Sequence, residues 1–191
     1  MKKKLVVFAL IAILLAQGVS GTIAYFTAED TARNVITTGG IDILLHETAI
    51  LEGSGGDSVP FEDVEGVMPG AEISKIVEVE NIGESDAWIR VKVTKAIALS
   101  EGVTGEPDLS LVEIDFNTDD WTEGQDGYYY YNQPLEAGYI TIPLFTTVTF
   151  DTEMDNRYQG CVATIDVEAQ AVQTANNGQS ATEALGWPEK A

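Results

Sequence analysis

The sequence predicts an all-β protein: an antiparallel jelly roll or β-sandwich in a single domain, with one short C-terminal helix and a signal-peptide helix in front. Three observations lead there. Several runs alternate apolar and polar residues with a period of two, as strands with one buried and one wet face do. Gly, Pro and Asn clusters separate those runs at turn spacing. Helix signals gather only at the C-terminal end, so strands follow strands with no helices between them, which is the pattern of a sandwich or jelly roll. With 191 residues, the chain is long enough for one domain with a sizeable core.

The N-terminus reads as an export signal. Lys2-Lys3-Lys4 form a positive start, Leu5 to Ala16 is unbroken apolar, and Gln17 to Ala24 is rich in small residues. That is the secretory pattern. The dense apolar part falls short of the roughly 20 residues a bilayer span requires. A signal peptide over residues 1–24, cleaved between Ala24 and Tyr25, is therefore expected over a retained anchor. Residues 25–38 form a leader of mixed polarity with few turn residues. The jelly-roll domain then occupies residues 39–191, opened by the chain break at Gly39-Gly40.

Ile41 to Leu45 reads as the first strand of the domain, followed by a Gly-rich acidic loop from Gly53 to Glu65. After the Pro69-Gly70 turn, Ile73, Val77 and Val79 alternate with Ser74, Glu78 and Glu80. Beyond the turn at Asn81 to Asp86, Ile89, Val91 and Val93 alternate with Arg90, Lys92 and Thr94. Two such runs on a short Gly-containing link predict a β-hairpin. Leu109 to Phe116, Tyr128 to Tyr131 and the Thr-, Ile- and Phe-rich Tyr139 to Phe150 are further strands. The last strand carries Cys161, Ala163, Ile165, Val167 and Ala169 on one face, opposite Thr164, Asp166, Glu168 and Gln170. Ser180 and Glu183 have capping-box spacing, and Gly186 and Pro188 end the short helix expected there. About seven to nine strands are expected in all.

The charge excludes some functions. The chain has 31 acidic and 10 basic residues, a net charge of −21. Loss of the signal lysines leaves seven basic residues, a net of −24 for the mature chain. Such a field repels nucleic acid and anionic lipid. Nucleic acid is excluded as a partner, and membrane contact is expected only through an uncleaved signal peptide. The single Cys161 rules out an intrachain disulfide. On the apolar face of the last strand it reads as a buried, inert thiol.

Few residues suggest site chemistry. Catalytic zinc sites need several His ligands or a His-Glu-x-x-His helix, and His46 is the only histidine, with Ile50 where the second His would fall. No nucleophile elbow and no phosphate-cradling glycine loop is present. Calcium is the one inorganic ligand the sequence raises. Asp115, Asn117, Asp119, Glu123 and Asp126 stand at positions 1, 3, 5, 9 and 12 of an EF-hand-like loop. Position 6 is Asp120 instead of Gly and position 12 is Asp instead of Glu, so a solvated acidic loop outweighs a calcium site. In Tyr128 to Tyr131, two rings should face the core and two should face outward.

Four stretches in order give a family likeness: Gly21 to Thr27 with Asn34 to Ile43; Met68-Pro69-Gly70 with Ile76 to Gly83 and Ala87 to Val91; Trp121 with Asp126 to Tyr131 and Pro143 to Phe145; and Asn156 to Gly160 with Val167 to Gln173. On these the chain resembles the TasA/camelysin-like exported proteins that a SipW-type signal peptidase processes. The resemblance implies a jelly-roll domain at a Gram-positive-type cell surface that builds a biofilm-matrix fibre. In that family the mature N-terminal segment of one subunit adds as a strand to the next, a head-to-tail homopolymer. Carried over, the donor is the leader, with Phe26, Val35 and Ile36 as anchors. Camelysin-like members are described as metalloendopeptidases, so that activity is the rival implication. A monomeric surface or spore-coat-associated binding protein is the other.

Overall fold

The computed structural model describes residues 26–30, 34–37, 40–51, 53 and 55–188. The signal segment and the Ala24–Tyr25 bond lie outside the described residues. Twelve strands follow in chain order: β1 (Phe26–Asp30), β2 (Asn34–Thr37), β3 (Ile43–Ile50), β4 (Ser58–Pro60), β5 (Val64–Val67), β6 (Glu72–Asn81), β7 (Ala87–Ala98), β8 (Val112–Ile114), β9 (Trp121–Glu123), β10 (Tyr128–Tyr131), β11 (Phe145–Phe150) and β12 (Val162–Gln173). The first sheet has the order β5-β1-β12-β7-β10-β9, with β2 also on β12; the second has the order β4-β3-β6-β11-β8. All pairings are antiparallel except β1 with β12 and β2 with β12, which are parallel. The all-β sandwich expected from the alternation is what the chain forms.

The two sheets enclose one main core. Leu45, Val77 and Val79 of the second sheet face Ile89, Val91, Val167 and Ala169 of the first, with Trp121, Phe145 and Phe150 filling the space between. At about 25 cal/mol per Å² of apolar surface, burial of this kind is the main favourable term in folding. The alternation in β6 and β12 is what allows it, because period-two side chains deliver one face to the core.

Several expectations need correction. Five strands of three to five residues, β1, β2, β4, β5 and β9, are too short to show alternation, which is why twelve appear instead of seven to nine. β6 and β7 are not a hairpin: they lie in different sheets, and their apolar faces oppose each other across the core. The link Ile82–Asp86 is an arch whose corner is held by buried Asn81. Its Nδ2 donates to the carbonyls of Ser85 and Leu135 at 2.8 and 2.9 Å, and its Oδ1 accepts from the Gly83 amide at 3.0 Å. The Ile82 and Gly83 amides donate to the Asp42 carbonyl, tying the arch to the start of β3.

Other boundaries move for local reasons. β3 runs on to Ile50, so His46 is mid-strand, not at a strand end. Leu109–Leu111 is a 3-10 turn before β8, capped by the Asp108 carboxylate accepting from the Ser110 amide. Tyr139 to Leu144 runs beside β6 as an irregular segment interrupted by Pro143, which has no amide to donate; regular pairing begins at Phe145. The C-terminal helix is only the 3-10 turn Ala181–Glu183, and the Ser180 side chain makes no cap bond. A segment bounded by Gly178 and Gly186, both at positive φ, is too short to repay α-helix nucleation.

Candidate functional site

β12 is the organising strand. β7 pairs with it from Val162 through Gln173 and so occupies one whole edge. On the opposite edge the paired neighbours are both from the leader. Thr27–Asp30 pairs with Val162–Ile165, and Asn34–Thr37 pairs with Glu168–Ala171. β5 covers the outer side of β1, with a register shift between Phe26 and Thr27. β2 has β12 alone as a paired neighbour among the described strands. Gly40, at φ 77°, turns the chain out of the leader towards β3; a Cβ there would strain the backbone. The structure thus places the anchor positions Val35 and Ile36 opposite Ala169 and Gln170 of β12, and Phe26 opposite Val67 of β5, all within their own subunit. Their side chains lie outside what is described.

The outer face of the first sheet carries a polar network that the alternation hid. Arg90, expected on the wet face of β7, is buried. Register puts Gln170, Arg90 and Tyr130 in a row across β12, β7 and β10. Arg90 Nε and Nη2 donate to Gln170 Oε1 at 2.9 and 2.7 Å, and Nη1 donates to the Tyr130 hydroxyl at 3.2 Å and to Asp126 at 3.4 Å. The guanidinium lies 3.9 Å from the Tyr128 ring centre and 4.6 Å from that of Trp187. Gln170 Nε2 donates to Glu168 at 2.7 Å. The C-terminal segment closes over this face in a second apolar cluster of Trp88, Tyr130, Val172, Ala181 and Ala184. That is why β12 is buried on both faces from Val167 to Val172. The signal available in the sequence was Trp187: a large aromatic near the terminus needs a surface to cover.

A second hidden pair sits between the sheets. Lys75 and Glu47 are both buried, with Lys75 Nζ donating to Glu47 Oε2 at 2.5 Å. The Phe61 ring centre is 4.0 Å from the ammonium. Lys75 shares the inward parity of Ile73 and Val77, and Glu47 that of Leu45 and Ala49. The pattern was readable once β3 is extended past Leu45.

The acidic loop does not converge. Asp115 accepts from the Thr146 and Thr147 amides and the Thr146 hydroxyl, anchoring the start of β11. Asn117 Oδ1 accepts from the Asp119 and Asp120 amides in a local turn. Glu123 stands exposed on β9, and Asp126 belongs to the Arg90 network. Partial burial pushes Asp126 up, but bonds from the Tyr130 hydroxyl and the Tyr128 amide, with the Arg90 charge, hold it below its ordinary value. Trp121 to Glu123 of the supposed loop are a strand, so the positions do not encircle a point. Among the described residues no three His, Cys, Asp or Glu side chains group to hold a metal ion.

His46 hydrogen-bonds Glu80 at 2.7 Å across β3 and β6. Burial raises Glu78 on the same strand, with His46 opposing it. Cys161 is buried just ahead of β12, not within it, and burial pushes its thiol up to about 11. The tyrosine run divides as expected. Tyr131 packs on Trp121 and Tyr129 on Phe116 within the main core, while Tyr128 and Tyr130 face outward onto Arg90. No helix among the described residues is long and apolar enough to cross a membrane. Comparison of the chain with protein-family models, with curated proteins and with solved structures finds no match.

Proposed function

We propose that this chain is an exported structural subunit of an extracellular fibre, assembling head to tail as the leader of one copy pairs along β12 of the next. The observation that carries it is the edge of β12, where the paired neighbours are two short strands from residues 26–37. A segment joined to its domain next to glycines, and paired along a strand of that domain, is the kind of element that copies exchange. The same bonds re-form in the neighbour, so exchange conserves the pairing while linking subunits. A head-to-tail contact of this kind does not close on itself and so propagates. The strong negative charge suits a surface-exposed polymer, and the apolar N-terminal stretch suits export. The likeness to TasA/camelysin-like proteins and their dedicated signal peptidase belongs to this reading, as does a Gram-positive-type cell surface. The pairing within one chain also favours a second reading: a self-complemented monomeric surface protein.

Negative-stain electron microscopy of the mature chain, starting at Tyr25, separates the two. Filaments are expected from the mature chain and none after deletion of residues 25–37. A synthetic peptide of residues 25–37 should bind the deleted chain and shorten the filaments of the intact one. Filaments that survive the deletion would sink the exchange mechanism, and a persistent monomer leaves the self-complemented reading.

A further inference from the structure

We propose that Glu47 and Lys75 become joined within the folded chain by an amide bond between Lys75 Nζ and the Glu47 side-chain carbonyl carbon. This inference does not depend on the fibre reading.

The placement comes from the strand register. β3 and β6 are antiparallel neighbours with Glu47 opposite Val77 and Thr48 opposite Ile76. Lys75 therefore stands diagonal to Glu47 on the same inward face, close enough for two long side chains to meet. They do so at 2.5 Å, with only 2% of the lysine side chain and 1% of the glutamate side chain exposed. The small cavity that Lys75 lines is otherwise apolar: Phe61, Ile73, Val148, Phe150, Ala163 and Ile165. Paired strands in the middle of a sheet hold both backbones still.

Charge makes the bonded state favourable. Two ions taken out of water lose hydration that their mutual attraction repays poorly, and neutral replacements of a buried ion pair are often more stable. An amide is such a replacement, because it removes both charges and keeps a polar group no larger than a peptide. Proximity supplies the rate, since reactants held in attack geometry behave as if at an effective concentration of about 10⁵ M or more.

The steps balance without a co-reactant. A proton moves from Nζ to the carboxylate along the existing hydrogen bond, leaving a neutral amine and a carboxylic acid. The nitrogen lone pair forms the Nζ–Cδ bond. The tetrahedral carbon then breaks its bond to the hydroxyl, which leaves with a proton from nitrogen as water. Nothing is oxidised or reduced. The bond closes a ring from residue 47 to residue 75, which contains β4, β5 and the Gly-rich acidic loop, in a chain whose single cysteine offers no disulfide for that purpose.

Mass spectrometry of the folded mature chain tests it without a variant. The intact mass should be lower than the sequence mass by one water. Trypsin acting on the denatured chain should fail to cut after Lys75, because an acylated lysine is not recognised. The digest should then hold one joined peptide, Asn34–Arg90, lighter by one water, in place of separate Asn34–Lys75 and Ile76–Arg90. The double variant Glu47→Leu with Lys75→Met, designed to keep the core filled, should show its full mass. A full intact mass with clean cutting after Lys75 overturns the proposal, and so does a water loss that fragmentation maps to any other residue.

Discussion

Replacement of Arg90 by alanine is the most informative single perturbation of the outer face. The guanidinium makes two short bonds to Gln170, one to Tyr130 and a longer contact to Asp126, and it stacks on Tyr128. Hydrogen bonds to a charged group contribute roughly 1.5–3 kcal/mol each, and cation–π contact adds about 0.5–2 kcal/mol. These do not add, because Gln170 and Tyr130 share the same network. Truncation loses these bonds together and leaves Gln170 Oε1 buried without a donor, so about 4 kcal/mol is expected for R90A. For a domain of this size that lowers the thermal midpoint by about 8–16 °C. Urea unfolding followed by tryptophan fluorescence measures it, with Trp187 lying directly on the substituted side chain. Arg90→Lys should lose roughly half as much, because an ammonium keeps the charge but not the fork that meets Gln170 twice. A loss under about 1 kcal/mol for R90A would refute the reasoning and make the network an exposed decoration.

Three further outcomes follow from the same geometry. Asp126 is held below its ordinary value of 3.8 in the folded state, so its contribution is present above that value and fades as pH falls through the lower folded value; Asp126→Asn should flatten that acid limb of the stability curve and leave the neutral plateau lowered. Cys161, raised to about 11 by burial, should resist a thiol reagent at pH 8 in the native state and react at once in denaturant; equal rates would mean that the chain just ahead of β12 opens freely. Asn81→Ala should cost about 2–3 kcal/mol, since the corner loses three hydrogen bonds at roughly 1 kcal/mol each and the Leu135 carbonyl keeps only the Ala87 amide, and its urea midpoint reads that directly.

The fold class was legible because alternation reports burial on one face, and β6, β7 and β12 alternate over most of their length. Which strand lies beside which was not, because alternation is silent about partners. Ile89 and Val91 point to the core equally well in a hairpin or across an arch, and only the Asn81 corner decides. Alternation also misleads where a second layer covers a strand. Arg90, Glu168 and Gln170 sit at outward parity and would be wet but for the C-terminal segment and Trp187. The calcium-like spacing from Asp115 to Asp126 failed for a related reason: the EF-hand count presumes one loop, and Trp121–Glu123 forms a strand inside it. The leader offered little beyond its position, and a resemblance pointed to it before its pairing with β12 could be seen.

The pairing of β12 has a consequence for amide hydrogen exchange. Successive N–H groups along a strand point to opposite edges, so one set in β12 donates towards β7 and the alternate set faces the leader. While the leader stays in place, both sets exchange slowly, and between Glu168 and Val172 covered faces slow them further. When the leader departs, only the alternate set becomes labile and the β7 set keeps its protection. β12 therefore records leader occupancy as an odd–even pattern along a single strand, readable residue by residue in a chain that is otherwise folded.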